Sequence, residues 1–325
     1  MRAPLILIDA VDAMVVEKQA VGYKYEAEEA ILHRFVAFTR SQFPGLDTIT
    51  QVSAHAWLEA AQKRAVTPST LLGLASPVRQ LARWLIFHDV AAYVLPTGVL
   101  PRPAAYMPHI YSYAELDALF AQTERCHYCS DVPLRHLIMP VLFRLIYACG
   151  LRCSEARLLR AGDVDLTIGL LQVCNAKGGK DRQIPVSEPL RVRLAHYHAQ
   201  IDWMGHDWFF PGRQGLPLRL GNIYNNFRRF LWQARISHGG RGQGPRVHDL
   251  RHSFAVHNLR MWFAAGKDVG AMLPILQTYM GHSSVADTAY YLRLTAESYP
   301  HILARLEQTM GRIVPSLTGG MYHGN

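Results

Sequence analysis

Residues 93–110 read YVLPTGVLPRPAAYMPHI, and this stretch divides the chain into two parts. It holds four prolines and one glycine without any hydrophobic periodicity, which is typical of an extended connection. We therefore predict an interdomain linker over 96–111, a first domain over 1–95 and a second over 112–325. The 325 residues are enough for two domains that each bury a core.

The residues before this linker have the hydrophobic spacing of helices. Because proline interrupts a helix interior, we expect Pro77 to start a second helix within 70–90 rather than to lie inside one. The apolar stripes run through 25–40 (Ala27, Ala30, Ile31, Ala37 and Phe38), 55–64 (Trp57, Leu58 and Ala61) and 70–90 (Leu74, Val78, Leu81, Leu85 and Ile86).

The residues after the linker begin with helix signals. Ser112 and Glu115 have the spacing of a capping box, in which each side chain binds the backbone N–H of the other residue. A long apolar helix over 136–149 ends at Gly150, and Arg152 begins another helix.

Residues 163–187 change from helical to strand periodicity. The runs GLLQVCN and DRQIPV are β-prone, and AKGGK between them favours a tight hairpin turn. From residue 188 the pattern is helical again, interrupted by a loop at FFPGRQGLPLR. The predicted fold class is mainly α with a small β-sheet, as a helical N-terminal domain followed by an α+β domain.

The chain is basic, with 34 Lys and Arg against 25 Asp and Glu, a formal net charge of +9 and a pI of about 9.4. This balance favours a polyanionic partner such as nucleic acid. No run of about 18 apolar residues is present, so we expect no membrane span. The first residues lack a cleavage site, so we expect no signal peptide and a cytoplasmic, nucleoid-associated protein.

The five cysteines are an odd and sparse set, which is typical of a reducing compartment. Cys126 and Cys129 form a lone C-x-x-C without a second pair at zinc spacing, so we interpret them as free thiols. We predict no metal site.

Five separated segments each supply a basic, imidazole or phenol group, the groups that phosphodiester cleavage requires. A phosphodiester is cut by a nucleophile, cations that stabilise the extra negative charge, and a proton donor for the departing oxygen. Singly, each of these residues has an ordinary structural explanation, but their order along the chain makes coincidence improbable. The segments are GLRCSE (150–155), KGGKDR (177–182), HDLRH (248–252), GH (281–282) and YY (290–291).

In this order and spacing, residues from about 112 to 310 resemble the catalytic domain of the tyrosine recombinase (phage integrase) family. Tyr291 follows His282 by nine positions, the step found in that family, so the resemblance selects Tyr291 over Tyr290 as the nucleophile. The first domain resembles the family's helical, SAM-like core-binding domain. Several stretches look most similar to recombinases of bacterial mobile elements.

The resemblance implies a role for each catalytic group. Arg152 and Arg251 would hold the non-bridging phosphate oxygens. Lys177 would protonate the leaving 5′ oxygen, although Ala176 stands where the family often has glycine. His248 would assist proton transfer at the tyrosine, and His282 would bind the phosphate.

Other residues support these groups or bind DNA. Glu155, three positions after the first arginine, is expected to orient its neighbours. Arg79, Arg83, Lys180 and Arg182 are candidate phosphate contacts. An arginine-rich site would favour the phenolate of a tyrosine whose ordinary pKa is near 10.

The predicted activity is site-specific DNA recombination or integration through a 3′-phosphotyrosine intermediate. No cofactor is expected, because the covalent bond conserves the energy of the broken one. The nearest alternative is a type IB topoisomerase, which uses a similar set of residues. A DNA-binding regulator that lost catalysis is a second alternative, disfavoured because every segment keeps its chemical group.

A recombinase has to assemble on double-stranded DNA, so we expect dimers or tetramers, with helper recombinases as possible partners. Residues 296–312 carry an apolar stripe that suits a helix docking on a neighbouring subunit or, equally, on its own domain. The tail over 314–325 is rich in Gly, Ser and Pro, which predicts disorder.

Overall fold

The computed structural model describes residues 6–64, 66–101, 106–174, 181–239, 244–282 and 284–298. The chain divides into two compact units, and the second begins at Met107. This boundary falls inside the predicted linker. The predicted helix over 296–312 reaches beyond the described residues, and the tail over 314–325 lies wholly outside them.

The first unit is helical, with a core formed by the inner faces of its helices. Thr50 caps α3 and Thr67 caps α4, each accepting a backbone N–H with its hydroxyl. The described helices of this unit are α1 (Leu7–Ala20), α2 (Glu26–Gln42), α3 (Gln51–Gln62) and α4 (Pro68–Phe87).

The buried face of α2 differs from the predicted one. Leu32, Phe35 and Val36 are buried, together with Thr39. The predicted stripe is wrong, because Ala27, Ala30 and Ala37 are exposed, whereas Ile31 and Phe38 are half-buried. The helix turns its larger apolar side chains inward, since these remove more apolar surface from water than alanines do.

The predicted buried faces of α3 and α4 agree more closely with the structure than that of α2 does. Trp57, Leu58 and Ala61 are buried, which confirms the helix proposed over 55–64. On α4, Leu74 is half-buried and Ile86 is exposed, so they lie at the margin of the buried face.

Pro77 lies inside α4 and is buried, so the prediction that it starts a second helix is wrong. Proline has no N–H to bond the carbonyl of Gly73, and its cost in a helix interior is about 3 kcal/mol. Val78, Leu81 and Leu85 are buried on the continuing helix. Their burial contributes about 1.5–3 kcal/mol each, which outweighs the cost of the proline.

The first half of the proline-rich stretch over 93–110 packs onto the first unit. Leu95 and Leu100 are buried in that unit's core. The N–H of Tyr93 donates to the carbonyl of Ile49 at 2.7 Å. This half of the segment is therefore anchored rather than freely extended.

The second unit is mainly helical around a larger core. The capping box of Ser112 and Glu115 is confirmed at the start of α5. Its described helices are α5 (Tyr113–Glu124), α6 (Arg135–Ala148), α7 (Cys153–Arg157), α8 (Glu188–Ile201), α9 (Leu220–Gln233), α10 (Val247–Ala264), α11 (Val269–Met280) and α12 (Val285–Ser298).

The predicted hairpin is present as part of a small antiparallel sheet. Within the described residues the strand order is β1 (Val164–Asp165), β2 (Leu170–Val173) and β3 (Arg182–Pro185). Val173 of β2 pairs with Arg182 of β3, and this is the described pair nearest to the predicted turn. That turn, with Lys177 and Lys180, lies outside the described residues.

Gly150 sets the angle between α6 and α7. Its φ is +57°, a left-handed value that glycine adopts without strain. An added Cβ would lie 2.5 Å from a ring carbon of Phe254 on α10. The glycine therefore lets α10 approach the residues that precede α7.

No helix of the described residues is long and apolar enough to cross a membrane.

Candidate active site

Side chains from separate segments converge in the second unit. Arg152 Nη2 donates to the carbonyl of Gly281 at 3.0 Å, and Arg251 Nη2 donates to that of Met280 at 2.7 Å. These bonds join α7 and α10 to the end of α11. The described residues that the sequence predicted to be catalytic are Arg152, His248, Arg251, His282 and Tyr291.

Arg152 is held through its backbone and its side chain. It precedes α7 in an extended conformation, and its N–H donates to Glu155 Oε2 at 2.8 Å. Its Nη1 donates to Glu155 Oε1 at 2.7 Å. The side chain keeps 21% of its surface exposed, so a phosphate can still reach this guanidinium.

Glu155 is a buried carboxylate surrounded by guanidinium groups. Its side chain is 4% exposed and pairs with Arg152 and Arg182, and Arg251 Nη1 lies 3.7 Å from Oε2. Burial alone would raise the pKa of Glu155, but hydrogen bonds from Arg182 and Arg152 outweigh it and lower the pKa to about 2. The carboxylate therefore stays charged and accepts hydrogen bonds from Arg152 and Arg182.

Arg251 is almost fully buried, with 1% of its side chain exposed. Its Nη1 donates to the carbonyl of Gly150 at 2.6 Å, which adds to the bond with Met280. Burial and the nearby Arg152 lower the pKa of Arg251 to about 10, so it remains a cation at neutral pH. A cation buried here adds positive charge next to the Tyr291 hydroxyl.

Arg182, a predicted phosphate contact, is bonded within the protein in the DNA-free chain. Its side chain is 7% exposed, and both of its Nη atoms bond Glu155, at 3.1 and 2.8 Å. Its Nε donates to the carbonyl of Tyr279 at 2.9 Å. Arg182 thus ties β3 to α7 and to the end of α11, and its contact with phosphate stays a prediction.

The carbonyls of residues 279–281 at the end of α11 therefore accept hydrogen bonds from Arg182, Arg251 and Arg152. A helix C-terminus carries unsatisfied carbonyls and partial negative charge, so cations stabilise it. These contacts fix the turn that carries His282.

Tyr291 is buried, with 3% of its surface exposed. Burial raises the pKa of its hydroxyl, and the opposing effect of Arg251 and Arg152 does not cancel that rise. The arginines therefore favour the phenolate as expected, but in the DNA-free chain burial outweighs their effect. A phenol in this site needs a group that removes its proton. By contrast, Tyr290 is 38% exposed.

His252 is a site residue that the sequence reasoning missed. Its Nδ1 lies 3.1 Å from the hydroxyl oxygen of Tyr291. The signal was available, because His252 follows His248 by one helical turn on α10 and so lies on the same face.

His248 contacts the ring of His252, and His282 contacts the ring of Tyr291. Burial, with Arg251 and Arg152 as further causes, lowers the pKa of each imidazole to about 4. His248 is exposed at the surface, and the two guanidiniums lie close enough to repel a proton on its imidazole. The ring of His282 stacks on that of Tyr291 at 5.8 Å between centroids.

The two other described candidates for DNA contact, Arg79 and Arg83, have different surroundings. Arg83 is exposed on α4. Arg79 Nε donates to the carbonyl of Leu95 at 2.7 Å, and its Nη2 donates to that of Pro96 at 2.9 Å. Arg79 thus holds the segment after α4 to the first unit, and its contact with phosphate stays a prediction.

One face of α9 is exposed and rich in groups that bind nucleic acid. Tyr224 and Trp232 are 45% and 79% exposed. Asn225, Arg228 and Arg229 are exposed beside them, while Phe227 and its apolar neighbours face the core. The predicted DNA contacts did not include this helix, although its aromatic, amide and guanidinium groups at helical spacing were a usable signal.

Among the described residues, no group of His, Cys, Asp and Glu side chains is arranged to hold a metal ion.

Residues 113–298 match the family model described as the phage integrase family. The chain is 32% identical over 312 residues to y4rB of Sinorhizobium fredii, which is named as an integrase/recombinase, with 92% and 96% of the two chains covered. It is 30% identical over 310 residues to the tyrosine recombinase XerD of Pseudomonas aeruginosa, again with 92% and 96% covered.

Solved structures show the same fold at lower identity. The XerH site-specific recombinase bound to its palindromic difH substrate aligns with a TM-score of 0.61 and 18% identity, covering 92% of this chain and 82% of that one. The Tn1549 transposon integrase in complex with a circular intermediate DNA aligns with a TM-score of 0.62 and 14% identity, covering 89% and 95%.

Proposed function

The chain belongs to the phage integrase family and, as a tyrosine recombinase, cleaves and rejoins DNA at specific sites; we propose that Tyr291 is its nucleophile. The observation that carries this assignment is the position of the Tyr291 hydroxyl, which contacts His252 and lies next to Arg251. Arg251 and Arg152 share the carboxylate of Glu155, so all of these groups belong to one site.

In the proposed reaction Tyr291 attacks a phosphodiester and forms a 3′-phosphotyrosine. Arg152 and Arg251 stabilise the charge on the non-bridging oxygens. A guanidinium has five N–H donors, so the bonds of Arg251 to backbone carbonyls leave others for phosphate. His282 adds a hydrogen bond to the phosphate, and Lys177 protonates the 5′ oxygen as it leaves.

Replacing each tyrosine in turn tests the nucleophile. Tyr291→Phe removes only the hydroxyl, so the variant should bind DNA with wild-type affinity and form no covalent adduct on a nicked suicide substrate. Tyr290→Phe is the matched control and should keep at least part of the adduct-forming activity. An adduct formed by Tyr291→Phe would exclude Tyr291 as the nucleophile.

For the DNA interface of the second unit we propose the exposed face of α9; in the first unit, exposed Arg83 is a separate candidate contact. An α-helix fits the major groove, where asparagine and arginine side chains read base edges. Arginines such as Arg228 and Arg229 would also neutralise phosphates. The support is the exposure of these side chains on a helix whose opposite face is buried.

We also propose that the protein acts as a dimer or tetramer on DNA, with helper recombinases as further partners. Strand exchange requires two DNA duplexes, and one Tyr291 cuts one strand. Truncation after residue 294 should leave binding by one protomer but weaken cooperative binding and abolish recombination between two sites. Gel shifts on one-site and two-site DNA, beside a recombination assay, measure both effects. Normal recombination by the truncated chain would contradict a role of the C-terminal residues in assembly.

A further inference from the structure

Tyr291 has a basic nitrogen within hydrogen-bonding distance, and that nitrogen belongs to His252. Nδ1 lies 3.1 Å from the hydroxyl oxygen, and the ring centroids are 5.5 Å apart. His248, to which the sequence assigned proton transfer, contacts the His252 ring edge-on at 4.7 Å between centroids. His252 therefore contacts both His248 and the proposed nucleophile.

Burial and the neighbouring basic groups keep His252 neutral at pH 7. The groups that face it are His248 and Arg251 on α10, His282 after α11, and Tyr291 on α12. Burial, together with His248, Arg251 and His282, lowers the pKa of His252 to about 3. A neutral imidazole with Nε2 protonated has a lone pair on Nδ1, to which the Tyr291 O–H donates.

Without a base, too little of the Tyr291 phenol is ionised for it to act as an efficient nucleophile. Because burial raises the pKa of Tyr291 above its ordinary value near 10, less than about one part in a thousand is phenolate at pH 7. Attack near neutral pH therefore requires that the proton leaves as the new bond forms.

We propose that His252 is the general base that takes the proton of Tyr291 during DNA cleavage. The O–H bond of Tyr291 breaks as its oxygen bonds to phosphorus, and the proton moves to Nδ1 of His252. The bond from phosphorus to the 5′ oxygen breaks, and that oxygen leaves with the electron pair and takes a proton from the general acid. Rejoining reverses both transfers. The negative charge of the bound phosphate raises the basicity of His252 relative to the DNA-free chain.

The test is the pH dependence of single-turnover adduct formation on a suicide substrate between pH 6 and 9. With its base in place, the wild-type rate should level off by neutral pH. His252→Ala should be slower by about 10²–10⁴-fold at pH 7. Its rate should rise about tenfold per pH unit, because the reaction then depends on the phenolate fraction. The exposed His196 provides a control, and His196→Ala should follow the wild-type profile.

A glutamine variant separates proton transfer from positioning. Glutamine can hydrogen-bond the Tyr291 hydroxyl but cannot take its proton, so His252→Gln should have the steep profile of His252→Ala. A wild-type profile in either variant would overturn the proposal. A steep profile in His248→Ala, with a level one in His252→Gln, would move the role to His248.

Circular dichroism and gel shifts establish that each variant is folded and binds DNA, and His252→Gln carries the test if alanine prevents folding. The proposal rests on Tyr291 as the nucleophile. If that assignment failed, Tyr291→Phe would still form an adduct, whereas failure of the His252 proposal leaves Tyr291→Phe inactive.

Discussion

At the scale of single residues, Gly281 shows how tightly this site is packed. It follows α11 with a φ of +66°, and its carbonyl accepts a hydrogen bond from Arg152. A Cβ at this position would lie 2.8 Å from Nη1 of Arg182. Arg182 is held by Glu155 and the Tyr279 carbonyl, so it cannot move aside without breaking those bonds.

Gly281→Ala should therefore lower adduct formation by at least about tenfold, since small displacements of catalytic groups are costly. Left-handed strain adds about 1–2 kcal/mol of destabilisation. Gly266→Ala is the matched control, because Gly266 has a φ of +68° and open space around its Cβ position. Gly266→Ala should be destabilised by the left-handed strain but should keep wild-type cleavage activity. Cleavage rates and melting temperatures of both variants check this.

A double-mutant cycle isolates the steric effect of the added Cβ on Arg182. In an Arg182→Ala background the Cβ of Gly281→Ala has no guanidinium to displace. The two substitutions should then cost less together than the sum of their separate effects. Strictly additive effects would contradict the contact between Arg182 and position 281.

The lowered pKa values of the site histidines predict how the free energy of unfolding depends on pH. The folded-state pKa values of His252 and His282 are about 3 and about 4, below the ordinary value of 6.5. The unfolded chain therefore binds protons that the folded chain does not, and stability falls as pH decreases from 6.5 towards 4. Each histidine contributes up to about 1.4 kcal/mol per pH unit in this range.

Melting temperatures measured between pH 7 and pH 4.5 should accordingly fall less steeply for His252→Gln and for His282→Asn than for the wild type. Substitution of the exposed His196 by asparagine should leave the slope unchanged. Identical slopes in all the variants would show that the site histidines are not held neutral by the fold.

At the scale of secondary-structure elements, α9 has one face buried in the core and one face exposed to solvent. Ile223, Phe227 and Phe230 are buried in the core of the second unit. Asn225 and Arg229 lie on the exposed side. A helix anchored in this way presents its polar side chains in a fixed geometry, which suits recognition of base edges.

Substitutions on α9 should separate affinity from sequence preference. Arg229→Ala should weaken binding to all DNA sequences and reduce the slope of log affinity against log salt by about 1. Asn225→Ala should relax the preference for the cognate site, at about 1–3 kcal/mol for the base that it contacts. Arg191→Ala is the control, because Arg191 is paired with Glu188 on α8. Unchanged affinity and salt slope in Arg229→Ala would place the DNA interface elsewhere.

The elements also show which local features the sequence could predict. Capping residues such as Ser112 and Glu115 act within one turn, so the start of α5 was predictable from the sequence alone. The sequence alone did not predict the buried face of α2 or the continuation of α4 past Pro77. Both depend on packing against other helices, which a one-dimensional pattern does not contain.

At the scale of the whole molecule, the mainly helical fold and the convergence of Arg152, Arg251 and Tyr291 followed from spacing and family resemblance. The roles of Arg182 and His252 did not. Their partners, Glu155 and Tyr291, lie 27 and 39 positions away in the sequence. Only the folded chain shows that one is buried in an ion pair and that the other contacts the nucleophile. For the same reason, burial of Tyr291 reversed the expected direction of its pKa shift.

The most direct test of the account is to identify the residue that becomes bonded to DNA. The wild-type protein is trapped on a suicide substrate and digested, and the peptide that carries the nucleotide is sequenced by tandem mass spectrometry. The account predicts that Tyr291 bears a 3′-phosphate of the cleaved strand. A nucleotide on Tyr290 or on another residue, or a link through a 5′-phosphate, would contradict it.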